Sequence, residues 1–161
     1  MNRSVMRPAG FLELRVWSSG VPVAVRSGRN LVLRQGAGAV AKLFAGQDGA
    51  SRIDKVAVGF GQEAADAEAT ALTPPPGGGI DPAALVSAVA PTDFTVVMDQ
   101  PGFIQVTATT LFHPTVDLPA VSEAGLLAGN TLYNQVVFEP VDLSVGQDIT
   151  LFWRIDFPFG H

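Results

Sequence analysis

The chain of 161 residues has no cysteine and only two histidines. Without thiols there is no disulfide, no thiolate-bound zinc and no cysteine nucleophile. His113 stands before a proline and His161 stands alone. Neither the histidines nor the carboxylates are spaced to converge on a metal, and no serine sits in a nucleophile-elbow pattern. Charge is scarce too. Asp, Glu, Lys and Arg make up 16% of the chain, where ordinary soluble domains carry roughly a quarter. The net charge is −5 and the pI about 4.8. Basic residues are scattered apart from Arg26, Arg29 and Arg34, so no basic face offers itself to nucleic acid. No apolar run approaches the roughly 18 residues of a membrane span. Residues 1–10 carry Arg3 and Arg7, but the next stretch is broken by Glu13 and Arg15 and is no apolar run, so a secretory signal is not expected.

What is present is apolar: 47% of residues are hydrophobic, part of that being Ala. One domain spanning 1–161 is expected, with a real core and some surface left for partners. Leu12, Leu14 and Val16 alternate with Glu13 and Arg15, the period of a half-buried strand. Ser18-Ser19-Gly20 is a turn signal and 21–25 a second strand, so 11–26 reads as a hairpin. Asn30 to Leu33 gives a short third strand. The period then lengthens: Val40, Leu43 and Phe44 fall at i, i+3, i+4 among alanines, which predicts a helix over 36–46 stopped by Gly46 and stabilised by packing. Alternation returns at 53–59.

Residues 62–82 are rich in turns and alanine and include Pro74-Pro75-Pro76 and Gly77-Gly78-Gly79. Such a stretch builds no core of its own and is long for a connection. It reads as an excursion that is ordered when a neighbouring subunit covers it. Residues 83–89 suit a short helix or a strand. Further strands are expected at 94–98, 103–112 and 131–138, a short extended piece at 116–118, and a last strand at 149–157. In that last strand Ile149, Leu151, Trp153, Ile155 and Phe157 share a face and Phe152 breaks the polar one. The sum is a mostly β chain, an antiparallel β-sandwich or barrel with one short helix.

No motif carries chemistry. Gly59-Phe60-Gly61 follows a strand as a phosphate-binding loop would, but Ala64 stands where the third glycine belongs and no βαβ unit surrounds it. A tight turn using permissive glycine angles explains it better. The acidic residues Asp48, Asp54, Glu63, Asp66 and Glu68 lack the order of a calcium loop. Paired carboxylates such as Asp99 and Glu123 have nothing pointing to them. Trp17 and Trp153 both sit on strands. Core packing suits each, and for Trp17 an interface anchor is the alternative.

Three stretches nevertheless occur in a telling order. A hairpin leads to Asn30-Leu31-Val32-Leu33 and a small-residue helix ending Leu43-Phe44-Ala45-Gly46. Next come Ile53-Asp54-Lys55-Val56-Ala57-Val58-Gly59-Phe60-Gly61 and Thr70-Ala71-Leu72. Last are Val121-Ser122-Glu123-Ala124-Gly125-Leu126-Leu127, Leu132, Val136-Val137-Phe138 and Leu151-Phe152-Trp153-Arg154-Ile155. Over 11–157 this resembles small structural proteins of tailed bacteriophages and prophages, of the tail or tail-fibre-attachment type. The first half is similar to the N-terminal part of tail-collar fibre proteins. Leu127 stands where that pattern usually has Phe, Phe60 where Thr or Asp is usual, and the insert at 74–79 is uncommon.

The resemblance implies a virion protein that acts by assembly rather than catalysis and needs no cofactor. Its partners would be copies of itself, as a trimer or ring, and other virion proteins. Trp17, Phe60, Phe152 and Phe159 are the candidate interface residues, with the hairpin, the excursion and 158–160. Gly59, Gly61, Glu123 and Gly125 form a structural turn motif. Gly125 would let the chain bend or bulge beneath a packed neighbour. Glu123 would accept backbone N–H groups or face solvent. Two other roles fit: a head decoration protein that cements capsomers, and a carbohydrate-binding module using Trp17 with Glu13.

Overall fold

The structure, a computed structural model, describes residues 10–160. The segment 1–9 and His161 lie outside the described residues.

Strands β1 (Gly10–Ser18) and β2 (Val21–Arg29) form the expected hairpin. Ser19 and Gly20 close it with φ of 50° and 76°, two successive left-handed residues whose twist matches that of the strands. Leu12, Leu14 and Val16 point into the core. A short β3 (Leu31–Val32) leads into helix α1 (Arg34–Phe44), which starts two residues before the expected 36. Gly46 (φ 66°) ends it: Gly46 N–H donates to the Leu43 carbonyl and Gln47 N–H to that of Lys42, the paired bonds of a left-handed helix stop.

Strand β4 (Ile53–Gly59) comes next. A 3-10 turn at Pro82–Leu85 runs directly into β5 (Val86–Ala88), so the ambiguous stretch holds both conformations. After a second 3-10 turn at Pro91–Asp93 come β6 (Phe94–Val97), β7 (Phe103–Phe112), β8 (Leu118–Ala128), β9 (Thr131–Leu132), β10 (Asn134–Leu143) and β11 (Asp148–Pro158). The strand expected at 131–138 is thus two pieces broken at Tyr133, and the second runs on through Pro140. Proline is tolerated there because the β8–β10 register shifts between Val137 and Val141. The Arg26 guanidinium takes up the Glu139 and Pro140 carbonyls.

The strands make two antiparallel sheets. One has the order β2-β1-β11-β7-β6, the other β3-β10-β8-β4-β5 with β9 on β8. Together they form the expected β-sandwich-like domain. Leu12, Leu14, Ile149, Leu151, Trp153 and Ile155 face Val56, Val58, Leu126, Val136 and Phe138 across one continuous core. Trp153 is fully buried and its indole N–H reaches Thr110 Oγ1 at 3.3 Å, the partner a buried Trp needs.

The apolar face of α1 does not enter the core. Gly36 is the helix's buried residue, and a Cβ there would run into the Tyr133 backbone, so the helix is held by close approach at its first turn. Its last turns leave Val40, Leu43 and Phe44 exposed, Phe44 at 95%. The stretch 66–73 of the excursion is tied down by its own chain. Arg34 N–H donates to the Ala67 carbonyl, Gln35 Nε2 to that of Thr70, Asp66 N–H to Gln135 Oε1, and Phe60 N–H to the Thr73 carbonyl.

Candidate functional site

The turn motif assembles around one carboxylate. Glu123, on β8, is 1% exposed. Its Oε1 accepts the Gly61 and Thr73 backbone N–H groups, the latter at 3.0 Å, and its Oε2 accepts Gln135 Nε2 at 2.7 Å. Beside it Ser122 Oγ donates to the Gly61 carbonyl at 2.5 Å. A buried charge is costly unless donors replace its water, and three N–H groups do so here with charge-assisted bonds. Of the two readings open for Glu123, the structure takes backbone acceptance over solvent.

The glycines of the motif are required by space rather than by turn angles. A Cβ on Gly59 would meet Leu72, one on Gly61 would collide with the Glu123 carboxylate and Thr73, and one on Gly125 would press on the Asn134 carbonyl. Gly125 is thus a close-approach position against the start of β10, and the β4–β8 and β8–β10 registers run without a shift at it. The permissive-angle explanation of Gly59 and Gly61 is replaced by close approach, since neither has a positive φ. A polar recess of about 570 Å³ opens beside the clamp, walled by Phe60, Asp66, Glu123 and Gln135. With both oxygens of Glu123 occupied, the arrangement is suited to holding 60–73 against β8. Asp99 is exposed beyond β6, on the other sheet, and makes no pair with it.

The candidate interface residues separate. Phe60 is 6% exposed and belongs to the core, because the excursion folds over it; it is no interface residue. Trp17 and Phe152 share the outer face of the five-stranded sheet, opposite to Leu14 and Leu151, with the Glu13–Arg15 ion pair between them. Trp17 is half-buried and Phe152 is 36% exposed. Phe159 is exposed beyond the end of β11, where its N–H donates to the Gly102 carbonyl.

Around Phe152 the structure adds residues that the sequence pattern does not single out. Phe11 lies 6.1 Å from it, centroid to centroid. Arg154 is 5.9 Å from the Phe11 ring and 5.8 Å from the Phe103 ring, and is oriented by two 3.1 Å bonds to Asp156. Phe11 was within reach of the alternation that put Leu12 in the core. Phe103 was not, since its placement depends on the β7–β11 register.

No family model matches the chain, nor does any curated protein or solved structure. The other sequence candidates are plain surface features. His113 Nδ1 lies 2.9 Å from Asp148 Oδ1 with both side chains exposed. Among the described residues no group of three or more His, Cys, Asp or Glu is placed to hold a metal, and no helix is long and apolar enough to cross a membrane. Burial of Tyr133 pushes its phenol up to about 12.

Proposed function

We propose that this chain is a structural component of a tailed-phage virion, of the tail, baseplate or fibre-attachment type, acting by assembly and not by catalysis. The observation that carries the reading is the clamp. Two of the stretches on which the resemblance rests, Gly59-Phe60-Gly61 and Ser122-Glu123-Ala124-Gly125, lie 62 residues apart at the Gly61–Glu123 bond and form one hydrogen-bonded unit. Their joint purpose is architectural: they fasten a long connection over a sheet and occupy the most buried carboxylate in doing so. The aromatic outer face supports the same reading. Phe11, Trp17, Phe103 and Phe152 with Arg154 give an aromatic surface whose charges are paired, Glu13 with Arg15 and Arg154 with Asp156, of a residue composition enriched at protein interfaces, and it would bind copies of the chain or other virion proteins.

Immunogold electron microscopy of purified particles with antibody to this protein tests the proposal. Labelling confined to the tail or its tip is expected. Label spread over the head would replace the tail role with capsid decoration. Absence of label, with epitopes shown to be accessible on disrupted particles, would overturn the virion reading altogether.

A further inference from the structure

The five-stranded sheet turns one face to the core and the other outward. On the outer face the register sets Val25, Arg15, Thr150 and Leu111 in one row across four strands. Ser27, Glu13, Phe152 and Thr109 make the next. Val23, Val25 and Leu111 are each at least 50% exposed. Phe152 lies on β11, the middle strand of the five, and near the middle of its length. It therefore stands at the centre of the face.

We infer that this face is a two-fold self-pairing surface, sheet against sheet, with Phe152 of each copy at the axis. Three features single out a second copy as the partner. The first is size. Five strands about 4.8 Å apart and registered residues rising about 3.4 Å each outline roughly 24 by 27 Å, or about 650 Å² before side-chain relief is counted. Relief brings this to the roughly 800 Å² per partner of stable complexes. The mixture of aromatics, valines, threonines and ion pairs suits such an interface, which is only a little over half apolar.

The second is charge. Arg15 is paired with Glu13, and Arg154 with Asp156, on the face itself, so a strongly charged partner gains nothing there. A second copy brings the same self-paired charges, and stacking strands none of them. The third is shape. A twisted sheet stacks best on one of equal twist, and two copies share theirs by identity, with strands crossing at about 30°. A two-fold axis then covers the same face on both copies and closes the assembly. The product is a dimer, in place of the trimer or ring that the resemblance implies.

The pairing deepens the assembly reading by naming the partner of the aromatic face. It rests on that face and not on a place in a particle, so particle labelling can fail with the dimer intact. Sedimentation equilibrium of the full chain over a concentration series tests it. The expected mass tends to twice 16.8 kDa as concentration rises. Phe152→Asp at the centre and Thr109→Arg beside it should each weaken association by at least about tenfold. The far-UV circular dichroism of the Thr109 variant should be unchanged, because that side chain is exposed. Phe44→Asp, on the exposed end of α1, should leave the dimer as tight as before. Four outcomes would overturn the inference: a single-chain mass at every soluble concentration; an assembly that Thr109→Arg does not weaken; one that Phe44→Asp dissolves; or a closed assembly of three or more copies.

Discussion

The two sheets solve burial in opposite ways. In the five-stranded sheet β1 and β11 alternate strictly, one face in the core and one open. In the six-stranded sheet β8 is buried at every residue from 121 to 126, although it too is an antiparallel strand with polar residues in the run. The difference is the excursion. By lying over the far face of β4 and β8 it removes that face from water, and the polar atoms it covers must then be satisfied. Ser122 and Glu123 are on β8 for that purpose. An antiparallel strand thus acquires the near-continuous burial of a parallel one without helices to cover it.

The sharpest way to break this contrast is Glu123→Ala. It strips an acceptor from Gly61 N–H, Thr73 N–H and Gln135 Nε2 at once, and each stranded donor costs about 1–3 kcal/mol. A loss of at least about 3 kcal/mol in urea denaturation is expected, with new protease cleavage confined to 62–82 while β1 and β11 stay protected. Cleavage spread evenly over both sheets would show that the excursion is not a separate layer.

Tyr133 gives the next effect. Its phenol is neutral in the fold, raised from 10.0 to about 12 by burial, so the stability this contributes is whole below pH 10 and is lost as pH rises toward 12. The two-unit difference corresponds to about 2.7 kcal/mol. As the chain has one tyrosine, absorbance at 295 nm follows it alone. Tyr133→Phe should flatten this alkaline loss, and a wild-type titration midpoint near 10 would refute the burial.

Gly61→Ala should cost about 1–3 kcal/mol by overpacking against the Glu123 carboxylate, while Gly38→Ala on α1, where a Cβ meets nothing, should be neutral or slightly stabilising. Equal effects at the two positions would remove close approach as the reason for the motif. The smallest change belongs to the open face. Phe152→Ser should alter thermal stability by no more than about 1 kcal/mol, the worth of its partly exposed aromatic contact, yet reduce binding to whatever covers that face.

The same contrast marks what the sequence could tell. Strands with one wet face are readable, β1 and β11 from alternation and β7 from its Thr and β-branched content: all three begin and end within a residue of expectation, and the core residues of β11 run as expected from Ile149 onward. β8 was not readable as a full strand, since its hydrophobic pattern is interrupted by Ser122, Glu123 and Gly125, whose partners are remote in sequence. Phe60 was assigned to the surface for the same reason; nothing local says that Thr73 and its neighbours return to cover it. Helix α1 misled differently. Its period predicted the element correctly, but the apolar stripe marks a face left open and the true anchor is Gly36, a residue whose value lies in lacking a side chain. Glu123 and the Gly59-Phe60-Gly61 turn were visible as a motif, while the bonds joining them were not.

The pairing of β1 with β11 at the middle of the five-stranded sheet has a consequence for synthesis. Strands from opposite ends of the described chain lie side by side, and loop closure over that span precedes any reward from the contact. On the ribosome the first hairpin emerges before β11, so its apolar Leu12, Leu14 and Val16 wait for a partner that follows every other described strand. During that interval the apolar face that the finished sandwich buries is left open.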